Sequence, residues 1–247
     1  MATEDLTEPR ESGESACHVA RTIATYDQIA TDYHVIATPE HRAWLEDSMR
    51  EFRARLPGPG VLVAACGEGR DSRYLQSLGA RVTSFDLSAG MLALARAADP
   101  AGDYRQLDLR AARSLTATFD GIWACACLYH LTKPEFRRCL HDFHDLLNPG
   151  GVLFLNLKLG TGEGFVDVPR PGYPGGATAR KKLVRPRFYA FYTRGELREY
   201  FTSYTVEMER RDLLKEGDGA MEFWLRKAGH TPVVPPSPVV PVSLPDC

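Results

Sequence analysis

The chain has 247 residues, 44% hydrophobic and 25% charged, the proportions of an ordinary folded domain, which excludes wholesale disorder and fibrous folds. Thirty Lys and Arg against 32 Asp and Glu give a formal charge of −2, which argues against nucleic-acid binding through bulk charge. The longest weakly polar stretch, residues 121–131, falls short of the ~18 residues of a spanning helix, and the acidic N-terminus lacks the apolar core of a secretory signal, so a cytoplasmic location with no membrane partner is expected.

In chain order, residues 1–20 read as a disordered acidic tail, because Glu4, Asp5, Glu8, Glu11 and Glu14 oppose only Arg10 and little apolar surface offsets the entropy of ordering. A domain over 21–229 follows. Its first part, 21–57, is a helical cap: Tyr26, Ile29, Ala30 and Tyr33 recur at helical spacing, then Trp44, Leu45, Ser48, Met49, Phe52 and Leu56 line a second helix opened by Thr38-Pro39. The continuous apolar run at 61–66 predicts a parallel strand buried on both faces. Strands at 80–86, 103–107, 119–126 and 151–159 then alternate with helices, the last of them opened by the capping pattern Thr132-x-x-Glu135 and carrying Phe136, Cys139, Leu140, Phe143, Leu146 and Leu147 on one stripe. After a long Gly- and Pro-rich stretch, Thr193-x-x-Glu196 caps another helix, and residues 203–212 and 220–227 form an antiparallel hairpin. The tail 230–247 holds six prolines and prefers an extended, partnerless conformation. The expected architecture is α/β, a doubly wound, mostly parallel sheet of seven strands under an N-terminal helical cap, with ligands at the carboxyl edge of the strands. Six cysteines, several within apolar runs, read as reduced thiols in core positions.

The chemistry concentrates at that edge. The first strand runs into Cys66-Gly67-Glu68-Gly69-Arg70-Asp71 before a helix begins, a turn over which a ligand can approach the backbone closely. Asp86 ends the second strand, where an acid can accept both hydroxyls of a ribose. Together they point to a nucleoside-containing ligand. A dinucleotide fingerprint needs a third glycine where Arg70 stands, which disfavours a nicotinamide oxidoreductase.

The ordered segments VLVAACGEGRDS, VTSFDLSAGMLALAR, YRQLDLR, FDGIWACACLYHL and LLNPGGVLFLNLK resemble the motifs of class I S-adenosylmethionine-dependent methyltransferases, in the small-molecule branch of the type 11 and type 25 groups. YDQIATDY and RFYAFYTRGELREYF resemble that branch's flanks, so the likeness covers about residues 25–228. It implies methyl transfer from S-adenosyl-L-methionine to O, N or C of a small molecule by in-line displacement. It further implies that Ala65 and Gly67 lie against the methionine portion, Asp86 holds the ribose, Leu87 and Met91 flank the adenine, Asp108 accepts from the adenine amino group with Leu109 beside it, and the Cys125 carbonyl meets the ammonium. Tyr26 and Tyr33 would close over the cofactor. The chain departs from the pattern at Val63, usually acidic, and at Ala65, usually glycine; Arg70, Asp71 or Tyr26 is the expected compensation.

His130, just past the fourth strand, is the best-placed titratable group, with Tyr129 next to it; the expectation is a catalytic pair, against a packed histidine bonded to a carbonyl. Cys125-x-Cys127 lacks further ligands at useful spacing, so no metal is expected. His141 and His144 fall outside the apolar stripe and read as solvated, and Lys158 can face the cleft. Residues 160–192 are expected to form a substrate lid whose Arg180, Lys181, Lys182, Arg185 and Arg187 attract an anionic substrate. The rival readings are the same fold and cofactor used for another reaction or merely sensed, and a scaffold protein working through the proline-rich tail. Substrate identity and oligomeric state stay open at this level.

Overall fold

The computed structural model describes residues 11–30, 39–166, 186–211 and 219–228, with backbone alone for 11–17, 39–42 and 211. Two helices lead, α1 (Glu11–Ile29) and α2 (Pro39–Arg55). They are followed by β1 (Gly60–Ala64), α3 (Arg70–Ser77), β2 (Arg81–Asp86), α4 (Ala89–Ala98), β3 (Asp103–Gln106), β4 (Phe119–Ala124), α5 (Lys133–Leu146) and β5 (Leu147–Leu159). The chain closes with β6 (Glu163–Val166), β7 (Arg187–Tyr192), α6 (Arg194–Tyr200), β8 (Tyr204–Arg211) and β9 (Ala220–Lys227). Short 3₁₀ turns occupy Leu109–Ser114 and Leu128–His130.

The main sheet runs β3-β2-β1-β4-β5-β9-β8: the first five strands are parallel, while β9 is antiparallel to β5 and β8 to β9. This is the seven-stranded mixed sheet expected from the alternating pattern and the closing hairpin. Alternation along each strand feeds two cores. Leu62, Ala64, Ile122 and Ala124 point to the side covered by α5 and α6; Val61, Val63 and Trp123 point to the side of α2, α3 and α4. Both faces being dry explains why β1 is a continuous apolar run and why β4 is apolar from Ile122 onward. Trp123 and Phe154 stack with centroids 3.8 Å apart, and Phe52 of α2 meets Trp123 edge-on at 5.3 Å. Gly121 lets α2 come this close, because a Cβ there would sit 2.6 Å from Phe52 and Leu56. Both expected capping boxes form, at Thr132/Glu135 and Thr193/Glu196.

Four expectations change. Helix α1 begins at Glu11, inside the segment 1–20 expected to be a disordered tail. The first strand stops at Ala64 rather than Cys66, because Ala65 turns to φ 51°. The two ends of the 160–192 stretch are strands: β6 and β7 form an antiparallel ribbon, and β7 joins the tip of β5 in parallel at Lys158↔Phe191 and Leu159↔Tyr192. The RFYAFY run supplies them with a buried face, Phe188, Ala190 and Tyr192, that enters the core beside α5. Finally, His141 is exposed as expected, but His144 is half-buried with its ring edge-on to Tyr204 at 5.4 Å. Tyr33, Thr38, Arg180, Lys181, Lys182, Arg185 and the proline-rich tail lie outside the described residues.

Candidate active site

The turn after β1 alternates left-handed residues: Ala65 (φ 51°), Gly67 (φ 56°) and Gly69 (φ 78°). Cys66 N–H donates to the Phe85 carbonyl at 2.9 Å, tying the turn to β2, and α3 opens directly on Gly69 with no side-chain cap. A Cβ at Gly67 would meet nothing within 4 Å, so the backbone faces open space there, as a close-lying ligand requires. Ala65 holds the same kind of conformation with a side chain, at a cost of about 1–2 kcal/mol relative to a right-handed residue.

Asp86, at the end of β2, binds this turn from the other side. One carboxylate oxygen accepts from Gly67 N–H and the other from Ser88 N–H, both at 2.8 Å. Each oxygen keeps a lone pair for a further donor. Burial raises the Asp86 pKa, opposed by these backbone hydrogen bonds. Ser88 caps α4 through Met91 N–H, and Asp27 of α1 accepts from Ser88 Oγ and from Gly90 N–H. A single α1 carboxylate thus fastens the cap to the start of α4. Asp108 caps the 3₁₀ turn through Arg110 N–H at 2.9 Å and pairs with the Arg110 guanidinium at 2.7 Å.

Two adjoining cavities run along the carboxyl edge. The first is lined by Tyr26, Ala65, Gly67, Arg70, Asp86, Met91 and Cys125, with Ile23, Glu68 and Asp71 among its other walls. The second is lined by Ala65, Asp86, Leu87, Asp108, Leu109 and His130, roofed by Val19, Thr22 and Ile23. Ile23, Ala65 and Asp86 belong to both, which makes one cleft of them. Every described residue expected to bind cofactor is brought to this cleft. Tyr129 lines neither cavity; it stacks on Tyr189, with centroids 5.3 Å apart, and meets His130 edge-on. The sequence reasoning missed the roof. Val19, Thr22, Ile23 and Tyr26 fall at i, i+3, i+4 and i+7, a helical stripe legible in the letters but cut by the boundary drawn at residue 20.

Residues 61–151 match the family described as "Methyltransferase domain". The chain is 36% identical over 117 residues to a malonyl-[acyl-carrier protein] O-methyltransferase of Enterobacter lignolyticus, covering 46% of either protein. It is 33% identical over 159 residues to a ubiquinone biosynthesis O-methyltransferase of Methylocella silvestris, covering 53% of this chain and 60% of that one. The matches therefore span about half the length of these relatives. The structure superposes with a TM-score of 0.59, over 90% of this chain and 93% of the other at 22% identity, on the Burkholderia thailandensis 1,6-didemethyltoxoflavin-N1-methyltransferase, whose crystal holds S-adenosylhomocysteine. The methyltransferase-domain match covers the first four parallel strands and the turn over Gly67.

Within the cleft the departures from the family pattern acquire a physical setting. Val63 is buried on the α2 and α3 side of the sheet, packed with Trp123, and offers the cleft no polar group. An acid stands nearby instead: Asp71 lines the cleft, accepting from Trp123 Nε1 at 2.9 Å and from Arg70 Nε at 2.7 Å. His130 is held on both ring nitrogens. Phe188 has only a carbonyl oxygen to offer Nδ1, at 2.6 Å, so Nδ1 carries the proton and Nε2 accepts from the Tyr26 hydroxyl at 2.8 Å. Burial lowers its pKa to about 3, opposed by the Phe188 carbonyl. The Tyr26 hydroxyl in turn accepts from Arg187 at 3.2 Å. The packed-histidine alternative is therefore the geometry found. Cys66, Cys127 and Cys139 are buried free thiols and Cys125 is a half-buried one.

Proposed function

We propose that this methyltransferase domain binds S-adenosylmethionine in the cleft under α1 and transfers its methyl group to O, N or C of a small-molecule acceptor. The observation that carries the reading is Asp86, which holds the glycine turn with one oxygen and the start of α4 with the other, beside the open space over Gly67. Asp86 would hold the ribose hydroxyls, with the backbone at Ala65 and Gly67 against the methionine chain. Leu87, Met91 and Leu109 supply apolar walls for the adenine, and Asp108 an acceptor for its amino group. Asp71 takes the place of the missing acid at Val63 as the negative charge toward the ammonium, with the Cys125 carbonyl beside it.

The bound cofactor supplies an electrophilic methyl on sulfur, so the protein's task is to align a nucleophile and exclude water. Helix α1 does the excluding: Thr22 accepts from Phe188 N–H, Asp27 holds α4, and Ile23 and Tyr26 close the roof. His130 has a filled Nε2 and a depressed pKa, so its part is to position Tyr26 rather than to accept a proton from the acceptor. Tyr129 and Tyr189 form an aromatic wall beside it on the acceptor side. Among the described residues no helix is long and apolar enough to cross a membrane. The described ends of the 160–192 stretch, β6 and β7, stand on the acceptor side. Calorimetry with S-adenosylhomocysteine and S-adenosylmethionine tests the proposal: both should bind, and neither should bind D86A with comparable affinity. Absence of binding by the wild type removes the reading.

A further inference from the structure

Arg187 opens β7 with 7% of its surface exposed. Its guanidinium has five donors, and among the described residues its hydrogen-bond acceptor is the neutral Tyr26 hydroxyl; no Asp or Glu pairs with it. It lies 5.5 Å from the Tyr26 ring centroid and 5.6 Å from that of Tyr189. Cation–π contacts of this kind stabilise a guanidinium only partly, and a buried charge without a counter-ion is strongly unfavourable. A second cation shares the same surface. Lys158, at the tip of β5, lies 5.5 Å from the Tyr189 ring and 5.7 Å from that of Tyr129. Arg187, Tyr189 and Phe191 point to one face of β7 by alternation, away from the core face of Phe188, Ala190 and Tyr192.

We infer that Arg187 and Lys158 flank the binding place of a carboxylate carried by the acceptor, with the body of the acceptor resting on the Tyr129 and Tyr189 rings. The inference rests on the cofactor reading for the place of the reacting methyl, and names the substrate class as planar carboxylic acids. Arg187 suits this role because its planar fork matches a carboxylate with two parallel hydrogen bonds, and because its link to Tyr26 puts it one side chain from the cofactor cavity. Lys158 adds a point charge from the opposite strand.

The test uses benzoate and benzamide, alike in shape and different in charge, titrated calorimetrically into the full chain saturated with S-adenosylhomocysteine. Benzoate should bind at least about tenfold more tightly than benzamide, R187Q should remove that preference, and R187K, with charge but no planar fork, should fall between. K158Q should weaken benzoate severalfold, and serves alone if the Arg187 variants do not fold. Equal affinities for the two probes, or a preference surviving both R187Q and K158Q, overturns the inference. Failure of S-adenosylhomocysteine to bind strikes the cofactor reading separately, since benzoate against benzamide on the unloaded chain still reads the carboxylate site.

Discussion

Replacing Asp86 tests the site most directly, since its carboxylate holds the glycine turn, the start of α4 and, in the proposed complex, the ribose. Two hydroxyl hydrogen bonds to a charged acceptor contribute about 1.5–3 kcal/mol each, so D86A should cost about 3–6 kcal/mol of cofactor affinity. At about 1.4 kcal/mol per decade this is a loss of roughly 10²- to 10⁴-fold in Kd for S-adenosylhomocysteine. D86N keeps one acceptor oxygen and should lose about half that free energy. Stability moves less: alanine leaves Gly67 N–H and Ser88 N–H unpaired, at about 1–3 kcal/mol each, but it also removes a charge that burial disfavours. Because burial raises the Asp86 pKa, the folded protein holds this proton to higher pH than the unfolded chain. Its contribution to stability is therefore full below the unfolded pKa and is lost as pH rises through the folded one, whereas ribose binding needs the ionised form. Calorimetry of the wild type and D86A, with the intact product and with an analogue lacking both ribose hydroxyls, separates ribose binding from a general collapse of the site. Affinity of D86A within threefold of wild type, or an equal loss for both ligands, refutes the reasoning.

Further outcomes follow from the geometry. His130, with a pKa near 3 against 6.5 unfolded, makes unfolding take up a proton between those values; the wild-type urea midpoint should fall as pH drops from 6.5 toward 3, and H130N should show a shallower fall. The same variant deprives the Tyr26 hydroxyl of its acceptor and should weaken S-adenosylhomocysteine by about tenfold without removing a basic limb from the kcat profile. A65G relieves a left-handed alanine and should raise unfolding free energy by about 0.5–1 kcal/mol in urea titration. G121A forces a Cβ into Phe52 and Leu56 and should cost about 1–3 kcal/mol by the same assay, and T132A, losing the capping box of α5, about 1 kcal/mol.

The order of strands and helices was legible because each parallel strand is dry on both faces and each helix on one, so hydrophobic period alone separates VLVAA from the stripe of Phe136, Cys139, Leu140 and Phe143. The turn at Gly67, the acid at Asp86 and both capping boxes were equally local, each needing only its own few residues. The roof was less accessible: the stripe of Val19, Thr22, Ile23 and Tyr26 straddles the end of the segment 1–20 read as a tail, and the Phe188 N–H that Thr22 accepts from lies 166 residues away. RFYAFY was ambiguous for a similar reason. Its pairing with the tip of β5 and with Glu163–Val166 depends on where β4 ends and leaves that edge of β5 free.

The sequence by itself therefore determined the doubly wound sheet, the nucleoside-type turn and most of the residues around it, since these follow from periodicity and from motifs only a few positions long. Tertiary structure decided which groups hold the two ring nitrogens of His130, that Asp71 lines the cleft while Val63 is buried in the core, and that Arg187 is buried beside tyrosines with no carboxylate opposite among the described residues. A proton's place on an imidazole, or a cation's want of a partner, is set by atoms brought together from distant parts of the chain, and spacing in the sequence carries no record of those distances.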